Sequence, residues 1–171
     1  MSKKWINHKL LAIIAATTVL SMLLATGAGA EPATIDDVDI SAAAVKEPGA
    51  LTTPPPPEPF IMSFASFTYL NNCYASASLV NSKTVALKAT TYAKQSVDKI
   101  GADLTLQRWT GSAWVDVETR PFMDTGNSFV SADSSFTVTT GYYYRAKAYH
   151  YVYKGTAFEQ TTTYSQEVLA K

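Results

Sequence analysis

From Phe64 to the C-terminus, apolar and polar residues alternate with a period of two rather than a helical period. The clearest stretch sets Ile100, Ala102, Leu104 and Leu106 against Gly101, Asp103, Thr105 and Gln107. Such alternation sends successive side chains to opposite faces of a strand. It recurs over residues 74–80, 84–92, 113–120, 134–139, 142–153 and 158–168. Short turn sequences separate these runs: Asn81-Ser82-Lys83, Thr110-Gly111-Ser112, Thr140-Gly141 and Lys154-Gly155. Glycine in a brief connection between alternating runs marks a hairpin. Pro121 lacks a ladder N–H and is expected to end its strand. Asp124-Thr125-Gly126-Asn127 reads as a loop, and polar Lys94–Asp98 as at most one helical turn. The pattern predicts an all-β domain over residues 61–171, an antiparallel β-sandwich of seven to nine short strands. A small closed β-barrel is the alternative. Expected core residues include Leu79, Val85, Leu87, Leu104, Leu106, Val117, Phe136, Tyr142, Tyr144 and Phe158.

The first sixty residues follow different rules. Lys3, Lys4 and Lys9 precede an apolar run from Leu10 to Ala25, and Ala28-Gly29-Ala30 follows. A basic start, an apolar middle and small residues at Ala28 and Ala30 form a secretory signal pattern. Residues 1–30 are therefore expected to direct export and to be cleaved after Ala30, giving a secreted, extracellular product. A retained anchor is the alternative, but Gly27 and Gly29 end the run short of the roughly 20 apolar residues a spanning helix needs. Residues 31–60 hold six acids against Lys46 and end in five prolines within six positions, Pro54 to Pro59. Prolines favour extended polyproline II and exclude helix and central strand. This segment is expected to be a stiff, solvated linker, with a Pro-rich recognition motif as the other reading.

Charge and composition then narrow the chemistry. The 171 residues balance 14 bases against 14 acids, which leaves no basic footprint for nucleic acid. No membrane association is expected once the signal is removed. Beyond residue 30, His150 is the sole histidine and Cys73 the sole cysteine, too few to build a His/Cys metal site. The sequence lacks H-E-x-x-H, G-x-S-x-G and a glycine-rich phosphate loop. The expectation is no enzyme activity, no metal and no cofactor. Cys73 fits an inward-facing small hydrophobe, with an intermolecular disulfide as the alternative.

Two resemblances add to this. Gly141–Ala148, with Tyr142, Arg145 and Ala148 in a Y-x-x-R-x-x-A spacing, resembles the penultimate strand of fibronectin type III and other immunoglobulin-like domains. The hairpin with Trp109 and Trp114 around Gly111 resembles their third and fourth strands. That likeness implies an immunoglobulin-like sandwich with Tyr142 as its tyrosine-corner residue. The chain departs from true immunoglobulin domains in lacking a Cys pair and a mid-strand Trp. Leu104–Trp109 with Trp114, Gly141–Ala148, Lys154-Gly155 and Thr162–Glu167 together resemble a family of small secreted Firmicutes proteins without assigned function. This implies secretion and a β-fold and supplies no active site.

All ten tyrosines lie beyond residue 60, six of them between Tyr142 and Tyr153. If Tyr142, Tyr144, Ala146 and Ala148 point inward, Tyr143, Arg145, Tyr149, Tyr151 and Tyr153 share the outer face, joined by Trp109 from the neighbouring strand. Aromatic and Arg side chains on a flat sheet suit an extracellular protein or a cell-envelope polysaccharide. These six residues are the candidate binding face. Tyrosine is also an ordinary solvent-face strand residue. The competing functional reading is a secreted structural or self-assembling protein.

Overall fold

Two unusually long strands decide the architecture. The computed structural model describes residues 45–58 and 63–171. The expected signal segment with Ala28 and Ala30, and the acidic stretch 31–44, lie outside the described residues. The strands are β1 (Leu70–Asn81), β2 (Thr84–Trp109), β3 (Trp114–Thr137), β4 (Tyr143–Lys154), β5 (Ala157–Tyr164) and β6 (Val168–Leu169). β2 and β3, 26 and 24 residues long, form one hairpin paired from Trp109↔Trp114 to Thr84↔Thr137. All pairings are antiparallel, and the described residues contain no helix.

Among the described residues six strands stand where seven to nine short ones are expected, and the reason is local. Polar Lys94–Asp98 and the Asp124–Asn127 stretch lie opposite each other, with Val97 paired to Asn127 and Lys99 to Thr125. Two weak points in register bend both strands together instead of ending either. Gly126 takes a φ of 65° there, and Ser96 Oγ donates to its carbonyl at 2.7 Å. Pro121 is tolerated because, among the described residues, β3 pairs only with β2 and forms an edge.

The bend doubles the sheet. β1 pairs with the first half of β2 and β4 with the second, both on the edge away from β3. β5 extends the sheet beyond β4, and β6 pairs with the start of β4. The inner faces of the two halves meet as a curled, sandwich-like arrangement. One cluster gathers Val85, Leu87, Leu104, Leu106, Phe136 and Tyr144; a second gathers Leu70, Cys73, Val97, Ile100, Val130 and Val152. Burial pushes the Cys73 thiol up to about 12, so it sits as an inert hydrophobe.

Three expected core residues are exposed instead: Leu79, Val117 and Phe158. Leu79 adjoins a register irregularity near the β1–β2 turn. Val117 is the extra residue of a bulge, since Leu106 pairs with Glu118 and Gln107 with Asp116. Phe158 pairs with outward Tyr153 and shares its face.

The tyrosine-corner assignment also shifts by two residues. Tyr144 is buried, and its hydroxyl donates to Thr139 O at 3.0 Å and accepts from Thr139 N at 3.1 Å. Tyr142 is half-buried, with the Arg108 guanidinium 4.9 Å from its ring centre. Tyr142 precedes β4, whereas Tyr144 lies within the strand on its core side and reaches back across the β3–β4 turn.

Polar groups stitch the halves together. His150 is fully buried, with Nδ1 2.7 Å from Thr91 Oγ1 and Nε2 2.9 Å from Thr163 Oγ1. Thr91 Oγ1 donates to Gly101 O at 3.1 Å, which leaves its lone pair to accept from Nδ1–H and Nε2 to accept from Thr163. The bridge thus links both halves of β2 to β4 and β5. At the sheet edge, the Glu159 carboxylate accepts the N–H groups of Thr68, Tyr69 and Leu70 at 2.7, 2.8 and 2.8 Å. Burial opposes its ionisation, but these three donors outweigh burial and hold its carboxyl below the ordinary range.

Candidate binding face

Strand parity turns Tyr143, Arg145, Lys147, Tyr149, Tyr151 and Tyr153 outward from β4, and Gly101, Asp103, Thr105, Gln107 and Trp109 outward from β2. The six expected face residues therefore do share one side of the sheet. They do not share one environment. Trp109, Tyr143 and Arg145 are only 7%, 2% and 8% exposed, which corrects their placement on an open surface.

The cover is the proline-rich segment itself. Ala50 packs against Trp109 and Tyr143. Leu51 N donates to Gly141 O at 2.6 Å; Gly141 has φ 89°, and a Cβ there would collide with the Leu51 side chain. Trp109 Nε1 donates to Thr53 O at 3.0 Å, and Tyr143 Oη to Glu47 Oε1 at 3.1 Å. Burial first, then Glu47, pushes the Tyr143 hydroxyl up to about 12. The expectation of a solvated linker is thus corrected over residues 45–58, which form a strap on the sheet. Prolines make that inexpensive, because an already extended segment loses little further freedom on seating.

Arg145 is the centre of the covered half. Its guanidinium lies 4.2 Å from the Trp114 ring centre and 4.4 Å from that of Tyr164. Nε donates to Gln107 Oε1 at 2.8 Å and Nη1 to Glu58 Oε2 at 2.7 Å. Two aromatic faces and two planar acceptors satisfy a buried guanidinium that would otherwise be costly. Lys147 pairs with Asp116 at 3.0 Å.

Tyr149, Tyr151 and Tyr153 make the other half, a track uncovered by the strap. Their ring centres are 6.0 and 6.1 Å apart along the strand, and Tyr153 stacks on Phe158 at 4.5 Å. Tyr153 and Phe158 are 41% and 44% exposed. Tyr151 lies directly over Gly101, where a Cβ would run into its ring; a glycine on a strand leaves backbone for an aromatic to cover. The groove beside the track measures about 320 Å³ and is completed by Lys99, Asp103 and exposed Met123. Burial raises the Asp103 carboxyl above the usual range.

Phe158, Met123, Lys99 and Asp103 are absent from the expected face. Phe158 was signalled by the Lys154-Gly155 turn, since a short hairpin pairs it with Tyr153. Met123 depended on the β2–β3 register, which pairs it with Gly101 beside Tyr151 and which carries Asp124–Asn127 on as strand where a loop is expected.

No protein-family model and no curated protein matches this chain. Among solved structures it is similar to a protein from Archaeoglobus fulgidus, with a TM-score of 0.31 and 15% identity. That match covers 60% of this chain and 98% of the other, and at this score it carries no argument. The Firmicutes resemblance therefore rests on the quoted motifs alone.

Proposed function

We propose that the chain is an exported, non-catalytic binding module that holds a cell-envelope polysaccharide on the Tyr149–Tyr151–Tyr153–Phe158 track. Export rests on the pattern of residues 1–30. The carrying observation is the run of ring centres 6.0 and 6.1 Å apart on one strand, two of the rings already supported from beneath or beside. Tyrosine offers an apolar ring and a wet hydroxyl, which suits a ligand whose repeating units alternate apolar faces with hydroxyl edges. Lys99 and Asp103 line the same groove and supply the few polar groups that orient a ligand.

The test is retention on purified envelope polysaccharide. Tyr153→Ala with Phe158→Ala removes the two most exposed rings of the track and leaves Tyr151 over Gly101. An aromatic contact at an interface typically contributes about 2 kcal/mol or more, and the stacked Tyr153–Phe158 pair counts as one such contact, so the double variant should bind at least about 30-fold more weakly. Its thermal midpoint should stay near the parent's. Equal retention by parent and variant would remove this face from the function, and binding of an envelope protein instead of the glycan would reassign the ligand.

A further inference from the structure

The strap contacts have the form of a ligand in a receptor. No residue of the segment 45–58 belongs to a strand. The sheet meets it mainly with side chains: an indole donor on the Thr53 carbonyl, aromatic surface under Ala50 and a guanidinium on the Glu58 carboxylate. A cleft of about 230 Å³ continues along Pro55, Pro56 and Pro57 to Tyr164 and Glu167. Aromatic surface with a side-chain donor is how extended proline-rich chains are recognised elsewhere. Arg145, fixed between two rings, adds a requirement for an acid at the end of the proline run.

We propose that the Trp109–Trp114–Tyr143–Arg145–Tyr164 surface is a receptor for an extended proline-rich segment ending in a carboxylate, and that it takes the strap of a second copy of this chain. The same two surfaces meet whether the strap seats on its own sheet or on another copy's. Exchange therefore keeps every contact, and the balance rests on effective concentration against chain concentration. Four consecutive prolines (Pro54 to Pro57) hold the segment extended in either arrangement, so ordering it costs little in both. Reciprocal exchange of two straps closes a symmetric pair. This surface is separate from the open tyrosine track, and the proposal stands without the glycan reading.

Two full-length variants test it, Glu58→Arg and Arg145→Glu. Each alone places like charges across the seat, in its own chain and between copies of itself. Mixed, each strap meets a face of opposite charge. The expected result is monomer for each variant and a 1:1 dimer for the mixture by sedimentation over a concentration series, weakened by salt. A mixture that stays monomeric, with both variants folded by circular dichroism, overturns the proposal. Should Arg145→Glu fail to fold, Glu58→Arg is titrated with a synthetic peptide of residues 47–58. Saturable binding that is lost when the peptide itself carries Glu58→Arg supports the receptor, and absence of binding overturns it.

Discussion

The Tyr144 hydroxyl serves two backbone groups of one residue, accepting Thr139 N–H and donating to Thr139 C=O. Removing it deprives both groups of their partner at an exposed residue, where water replaces part of what is lost, so the cost is the net value of two bonds. Tyr144→Phe should therefore lower stability by about 1–3 kcal/mol. Tyr142→Phe keeps the ring against Arg108 and should stay within about 0.5 kcal/mol of the parent. Urea midpoints of the two variants decide between them, and an unchanged midpoint for Tyr144→Phe would dismiss the corner. The motif spacing singles out Tyr142, since Tyr144 is followed three and six positions on by Lys147 and His150. What separates them is position, because Tyr142 precedes β4 and is half-buried, whereas Tyr144 lies within the strand, is buried, and has Thr139 within reach of its hydroxyl across the Thr140-Gly141 turn.

At the scale of elements, the strap turns a composition into a contact. Thr53 and Glu58 reach their partners 56 and 87 residues away, and Ala50 is buried. A protease that cuts at Ala50–Leu51 should find this bond protected in the folded chain. Glu58→Gln removes the charge partner of buried Arg145 and should favour local opening by about 1–2 kcal/mol, roughly tenfold faster cleavage where opening precedes cutting. Immediate loss of residues 45–58 from the parent would show that the strap is not held. The period-two pattern made β4 and its outward residues legible, because alternation depends only on neighbours. It could not show what covers them: acids and prolines read as solvated when taken alone, and their partners lie beyond any local window. The bend of β2 and β3 was hidden for a related reason. A polar stretch normally ends a strand, and only the pairing of two such stretches in register lets both continue.

The whole molecule carries its acid sensitivity at the seam between the halves. His150 is neutral in the fold, because burial lowers its pKa from 6.5 to about 4, and its two threonine partners are arranged for one N–H and one bare nitrogen. The unfolded chain takes up the proton first as pH falls. The stability due to neutral His150 is therefore complete above pH 6.5 and declines between 6.5 and about 4, by up to about 3 kcal/mol. Asp98, Asp116, Asp124 and Glu159 are held below the usual range by hydrogen bonds, so their contributions disappear at lower pH and leave the histidine window separable. Asp103, raised by burial, acts in the opposite sense and makes a comparison with a variant necessary. His150→Gln keeps a donor and an acceptor for Thr91 and Thr163 without a titrating group. Urea denaturation across pH 7.5 to 4 should show the parent losing more stability than the variant, with the difference opening below pH 6.5. Parallel curves would mean that His150 takes up its proton in the fold as readily as in the unfolded chain, and the polar bridge joining Thr91 and Thr163 would need a different proton arrangement.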